Sequence, residues 1–333
     1  MRPVFIFALV WCSISGGSPS SLRAAPVGNP SPAIADNRCT TTPGGPTRKL
    51  RHKRSKLVTK LGSPRHRGLD MVATPDVPRQ LLTGTIGYGK IHKGLEDEDV
   101  ELFACDRGTW VGLGTARTDD EGEFALALEG NARLGVGMRD LYVSVVGDRS
   151  GVRFLGYVAP AGTQMIVSDI DGTLTTSESA FIKTAVAGLY TGAQPGAPAA
   201  FGVLAQRGYQ PVYVSARGEQ FTEATRAFLE SQGFPRGPIL LARSIVTVPG
   251  ADTVAFKTRA METLTRAGLV IAGGVGNRAS DVAAYRAIGL PPARIFIGTG
   301  EFASELRGHL AAGRATGFAT YDEVASSHFR NLP

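Results

Sequence analysis

The sequence lacks any hydrophobic run long enough to cross a bilayer. The apolar stretch from Val4 to Cys12 is about half of the roughly 20 residues that a spanning helix requires. Cysteine is scarce, with three in 333 residues, so covalent cross-linking is limited to one pair. No long internal repeat is visible, which speaks against a repeat architecture. A net positive charge is missing from most of the chain. The formal charge is +7, yet the segment from Arg48 to Arg67 carries nine Lys or Arg and no acid, so +7 less nine leaves −2 for the rest. That imbalance is local, which argues against a nucleic-acid-binding fold and for a basic arm beside a nearly neutral body.

What is present falls in the globular range, with 43 % hydrophobic and 20 % charged residues, and the length allows two domains. Arg2, the apolar run to Cys12 and the small residues Gly16, Gly17, Ala24 and Ala25 have the layout of a secretory signal peptide over residues 1–25. The bulk of Trp11 disfavours Cys12 as a lipid-attachment site. Export would permit Cys39 and Cys105 to pair, and two free thiols is the equal alternative. Residues 26–78, rich in Pro, Gly, Ser, Thr and basic side chains, read as a disordered basic linker.

From residue 79 to 160 short apolar runs alternate with turn residues. Thr83–Tyr88, Val100–Ala104, Thr109–Gly114, Glu123–Leu128 and Leu141–Val146 predict the strands of a small antiparallel, immunoglobulin-like β-sandwich. Over residues 161–333 strand-like runs alternate with helical patterns. The strands are Met165–Val167, Pro211–Val214, Ile239–Leu241, Leu269–Val275 and Arg294–Ile297, and the helices Glu219–Gln232 and Ser280–Ile288. This order predicts a Rossmann-like α/β domain with a mostly parallel sheet, whose site lies at the carboxyl ends of the strands.

The polar residues fall at those ends. In Val167-Ser-Asp169-Ile-Asp171-Gly172-Thr173 two carboxylates follow a buried run, and Gly172 supplies the turn that lets both face one site. Asp169 is then free to attack while Asp171 handles the leaving group's proton. A calcium loop is excluded because the glycine comes fourth rather than sixth and Ala180 stands where the twelfth-position Glu belongs. Ser215-Ala-Arg217 ends a strand at a loop-to-helix junction that favours an anion. Lys257 is a long ammonium able to neutralise a phosphoryl group. Asn277 and Asp281, four residues apart after a strand, offer oxygens suited to Mg²⁺.

The order of a carboxylate pair, Ser, Lys and Asn/Asp, each after its own strand, is that of the haloacid dehalogenase superfamily. From about Met165 to Pro333 the chain more closely resembles the catalytic domain of the lipin-type phosphatidate phosphatases. The likeness rests on Asp169-Ile-Asp-Gly-Thr-Leu-Thr-Thr-Ser-Glu178, Ser215-Ala-Arg with Thr225–Leu229, Gly237–Leu241, Val254–Lys257, Gly276–Gly289 and the end from Thr320. The resemblance implies Asp169 as nucleophile, Asp171 as general acid/base, and Asp169, Asp171, Asn277 and Asp281 around Mg²⁺. It places Ser215, Lys257, Gly172, Thr173 and Arg217 about the phosphate. It also agrees with a preceding β-sandwich. Related domains of phosphatidylinositol-transfer proteins keep the fold but lack the catalytic pair, so the pair here points to an enzyme. The family's long regulatory middle region is absent, and its members are typically intracellular, unlike a chain with an export signal.

A lipid substrate calls for contact with a membrane. At about 1 kcal/mol per basic residue, the nine cations between Arg48 and Arg67 would hold the chain on an anionic surface, with Leu50, Leu57, Val58 and Leu61 adding a shallow apolar contact. A solubilising linker is the alternative. The short segment after Thr173 predicts a site without a large cap. Three functions stand open: phosphatidate phosphatase, phosphatase of soluble phosphomonoesters, or non-catalytic phospholipid-binding module. The place of action is expected to be exported, periplasmic or secreted, or peripheral to a membrane.

Overall fold

The structure is a computed structural model, and it describes residues 35–177, 192–243 and 250–332. The expected signal peptide, Cys12, Glu178 and most of the segment on which the uncapped site depends lie outside these residues. Among them no helix is long and apolar enough to cross a membrane.

The first part is built from β1 (Asp36–Asn37), α1 (Lys53–Val58), β2 (Arg67–Gly68), β3 (Met71–Ala73), β4 (Arg79–Thr85), β5 (Gly87–Tyr88), β6 (Lys93–Gly94), β7 (Asp99–Asp106), β8 (Thr109–Arg117), β9 (Glu123–Glu129), β10 (Gly137–Val145) and β11 (Gly151–Val158). One sheet runs β3-β11-β10-β7-β8, with β1 added on β10, and a smaller sheet runs β2-β4-β9. The β7, β8, β10 and β11 pairings are antiparallel. Leu82, Phe124 and Leu128 of the small sheet meet Leu102, Leu141, Val143 and Phe154 of the large one in a shared core, which makes this part a sandwich.

Residues 35–78 correct the expected linker. They are ordered, because their composition is overruled by contacts far away in sequence. Cys39 is bonded to Cys105 with Cα atoms 5.8 Å apart. Buried Glu98 accepts from the backbone N–H groups of Arg51 and His52 at 2.9 and 3.1 Å, and β1 and β3 extend the large sheet. A floppy basic segment becomes an edge of the sandwich.

The second part contains β12 (Gln164–Ser168), α2 (Ala197–Gln206), β13 (Gln210–Gly218), α3 (Thr222–Ser231), β14 (Ile239–Ala242), α4 (Ala251–Arg266), β15 (Val270–Gly276), α5 (Ala279–Ala287), β16 (Ile295–Gly298), α6 (Ala303–Ala311), β17 (Thr316–Phe318) and α7 (Tyr321–Ser327). Its sheet is parallel throughout, in the order β14-β13-β12-β15-β16-β17. Alternation along β12 sends Ile166 into one helical layer and Met165 and Val167 into the other, so the strand is buried on both faces. The chain moves from β12 to β13 and β14 on one side and then to β15 and β16 on the other. The carboxyl ends of β12 and β15 therefore flank a crevice where such sheets bind ligands.

The two parts share packing, since Met138, Leu155 and Tyr157 of the sandwich join the core beneath α4 and α5. Asp70, its side chain fully buried, accepts from Arg226 with both oxygens at 2.6 and 2.7 Å, and from the N–H groups of Leu155 and Ile239 at 2.8 Å each. One carboxylate thus binds a sandwich strand to β14.

Candidate active site

β12 delivers Asp169 at its end, where the Asp169 N–H donates to the Val275 carbonyl at 2.9 Å. The turn that follows needs Gly172 at φ +68°, a left-handed conformation open to glycine, and the Gly172 N–H donates to the Thr175 hydroxyl at 2.9 Å. The turn carries Asp171 to the same end of the sheet as Asp169.

Asp169 is 4 % exposed, and so is Lys257, which reaches it from α4. The ammonium donates to Asp169 Oδ1 at 2.5 Å and to Asp281 Oδ1 at 2.6 Å. Asp281 is wholly buried, and its other oxygen accepts from the backbone N–H groups of Asn277 and Arg278, each at 3.0 Å. This closeness is possible only because β15 ends in Gly276, where an added Cβ would lie 2.5 Å from Asp281. With both oxygens engaged, Asp281 orients Lys257 and the Asn277 loop, rather than presenting a free oxygen as expected of a metal ligand.

Burial pushes the Asp169 carboxyl up to about 7, with Asp281 and Asp171 raising it further and Lys257 opposing. Burial works against the Lys257 ammonium, but Asp169 and Asp281 outweigh it and hold its pKa above the ordinary range. The two tendencies conflict for one pair. A 2.5 Å contact between the groups favours ammonium with carboxylate, and we take Lys257 as charged.

Thr173 Oγ1 lies 3.2 Å from Asp169 Oδ2 and 3.0 Å from Asn277 Oδ1. A hydroxyl has one proton, so it bonds one of these oxygens and holds the other nearby. The Asp169 carboxylate and the Asn277 amide thus bring two hard oxygens together, a donor chemistry that fits Mg²⁺.

The remaining expected residues converge elsewhere in the site. Arg217 grips Asp171 in a two-pronged pair at 2.7 and 2.6 Å and gives a further hydrogen bond to Thr225 at 3.0 Å. The Ser215 hydroxyl donates to Asp171 at 2.9 Å. Ser215 and Arg217, expected about a phosphate, hold the second carboxylate here. A cavity of about 320 Å³ opens beside Gly172, Thr173 and Asn277 and continues past Thr299 and Tyr321. Two tyrosines escaped the sequence reading. Tyr321 donates to the Thr173 carbonyl at 2.8 Å and Tyr285 to the Val275 carbonyl at 2.7 Å. A lone tyrosine in a helix pattern carries no signal of that kind.

The fold is therefore a haloacid dehalogenase-type α/β domain preceded by an antiparallel β-sandwich. Residues 166–298 match the family model described as the PITM 1-3 LNS2 domain, and residues 64–158 that of the PITM 1-3 β-sandwich domain. Membrane-associated phosphatidylinositol transfer protein 3 of Homo sapiens is 27 % identical over 260 residues, covering 77 % of this chain and 26 % of its own length. Protein retinal degeneration B of Drosophila melanogaster is 26 % identical over 260 residues, with 77 % and 20 % covered. The chain thus spans about a fifth to a quarter of the length of the curated relatives it matches. Among solved structures, the D,D-heptose 1.7-bisphosphate phosphatase of B. bronchiseptica, complexed with magnesium and phosphate, aligns at a TM-score of 0.38 with 16 % identity. That alignment covers 51 % of this chain and 99 % of the other. A likeness that distant does not inform the chemistry, which rests on the side chains above.

Proposed function

We propose that the chain is a Mg²⁺-dependent phosphatidate phosphatase working through an aspartyl-phosphate on Asp169. The observation that carries this reading is the buried Asp169–Lys257–Asp281 triad at the sheet's switch point, beside the Asp169 and Asn277 oxygens. Mg²⁺, held by Asp169, Asn277 and the Asp171 backbone carbonyl, would supply the charge that lets one anion approach another.

Asp169 attacks phosphorus, and the bond from phosphorus to the diacylglycerol oxygen breaks. Asp171 delivers a proton to that leaving oxygen, then takes one from the water that hydrolyses the aspartyl-phosphate. For Asp171 to act, its partners must let go. The arriving phosphoryl oxygens offer Arg217 and Ser215 an alternative acceptor, since guanidinium pairs equally well with phosphate. Lys257 stays in place and offsets charge on the transferring group. The anionic membrane contact expected of residues 48–67 would bring this site to a phospholipid substrate.

The firm grip on Asp171, and matches that fall on lipid-transfer proteins, favour a second reading: a non-catalytic phospholipid-binding module in which Arg217 receives the phosphate and no bond breaks. Phosphate release from phosphatidate in mixed micelles, compared with water-soluble esters and with Asp169→Asn as the blank, separates these. Release from phosphatidate above the blank supports the lipid phosphatase. A preference for soluble esters overturns the lipid assignment, and no release from any ester with Mg²⁺ leaves the binding module.

A further inference from the structure

Outside the Asp169 centre the molecule has a larger basic cleft, about 480 Å³, between the sandwich and the start of α3. One wall is the segment Pro64–Gly68 with the turn between β5 and β6, and the other is Glu219–Ala224. Arg67 is half-buried there, and its guanidinium has no hydrogen bond or ion pair among the described residues. Burial lowers its pKa, and only the field of Glu219 opposes this. Arg65 and Lys90 line the same cleft, and their charged side-chain groups are likewise unpaired among the described residues. On the facing wall both polar atoms of the Gln220 amide are buried without a hydrogen-bond partner. The carboxylates that face these groups are Glu219, itself buried, and Glu223. His66 and His92 also line the cleft, and burial lowers both their pKa values, so they add little charge at neutral pH.

The rim is apolar where a soluble protein would be expected to be polar. Ile91, at the tip of the β5–β6 turn between Lys90 and Lys93, is 83 % exposed. Leu61 is 55 % exposed. Leu61 lies against that turn, since a Cβ added at Gly89 would stand 3.3 Å from its side chain. Ile91 and Leu61, protruding beside lysines and a cavity whose Arg67 and Lys90 side chains are unpaired among the described residues, match an anionic lipid surface in both parts of its chemistry.

We propose that this cleft is a second anion site, separate from the Asp169 centre, which takes the phosphate of an anionic phospholipid headgroup while Ile91 and Leu61 enter the bilayer surface. Arg67 and Lys90 meet the phosphate oxygens and Gln220 meets the headgroup's polar edge. The inference does not depend on turnover, so it stands or falls apart from the phosphatase reading.

The test is sedimentation of the full chain with phosphatidylcholine vesicles, with and without phosphatidate, in the presence of a chelator. The double variant Arg67→Gln/Lys90→Gln is compared with Arg259→Gln/Arg307→Gln, which removes the same charge from exposed positions on α4 and α6. The first pair should weaken binding to phosphatidate vesicles about 30-fold, the loss expected of two basic residues near an anionic surface, and the control pair should not. Equal losses in the two pairs, or none in the first, overturn the site. Ile91→Asp is the second arm. It should weaken vesicle binding while leaving any calorimetric binding of inorganic phosphate intact. Unimpaired vesicle binding by Ile91→Asp would assign the cleft to soluble phosphate and overturn the membrane role.

Discussion

Replacing Lys257 by Met removes an ammonium from between two buried carboxylates while keeping most of the side chain's volume. Asp169 and Asp281 accept from it at 2.5 and 2.6 Å, and all three side chains are nearly or fully inaccessible. Leaving a buried charge without its partner costs about 3–5 kcal/mol, and the cost should depend on pH. Asp169 already sits at about 7 with Lys257 in place, so its removal drives that carboxyl higher. Over the interval between the unfolded value, about 4, and the raised folded value, the native state holds a proton that the unfolded chain does not. Stability then falls as pH rises through that interval. Urea unfolding of the metal-free variant should show a small loss near pH 5 and the full loss near pH 8. Adding Asp169→Asn removes the orphaned charge, so the double variant should recover about 2 kcal/mol or more at pH 8 relative to additivity. A cost for Lys257→Met below about 1 kcal/mol at pH 8, or no recovery in the double variant, would refute the triad as described.

Other parts of the molecule give further expectations. Asp70→Ala leaves Arg226 buried without its carboxylate and two backbone N–H groups without an acceptor, and should cost about 3–5 kcal/mol in chemical denaturation. Cys39→Ser opens a loop of 66 residues, which should lower stability by about 4 kcal/mol, with an equal loss on reduction of the native chain. His66 accepts from the Gly87 N–H and meets the Ser150 hydroxyl, and burial lowers its pKa to about 4. Its contribution is present above the unfolded value of about 6.5 and should be lost as pH falls towards 4. The loss is about 3 kcal/mol, and His66→Gln should flatten that acid limb.

How much of this was legible in the sequence depended on how local the determining forces are. The β12 run, the Gly172 turn and the strand before Asn277 are set by apolar runs and turn residues a few positions apart, and their places agree with the spacing. Strand β11 was missed because its residues are buried almost continuously from Phe154, so no alternation marks it off from the next domain. The ordering of residues 35–78 could not be read at all, since it rests on Cys105, Glu98 and Val146 more than 40 positions away. In the site, sequence grouped the polar residues but not their pairings. A spacing of four positions from Asn277 to Asp281 allows a shared metal or, as the structure has it, a carboxylate that caps its own helix and holds Lys257.

The pairing of Asp171 with Arg217 bears most directly on function. A carboxylate gripped at 2.6 and 2.7 Å by guanidinium, with Ser215 donating at 2.9 Å, is fully engaged by these partners and must be released before it can meet a leaving group. Yet the same three groups form an arrangement in which an incoming phosphate would be both bound and enabling. Each hydrogen bond that Arg217 transfers from Asp171 to phosphate would free a carboxylate oxygen to meet the leaving group. On the phosphatase reading, substrate binding and release of the general acid would be a single event. In a module that only binds lipid, the guanidinium would need no carboxylate to hold it in reserve. The presence of Asp171 beneath Arg217 is therefore more economically explained by turnover than by recognition alone, and phosphate release by the native chain against Asp169→Asn decides between them.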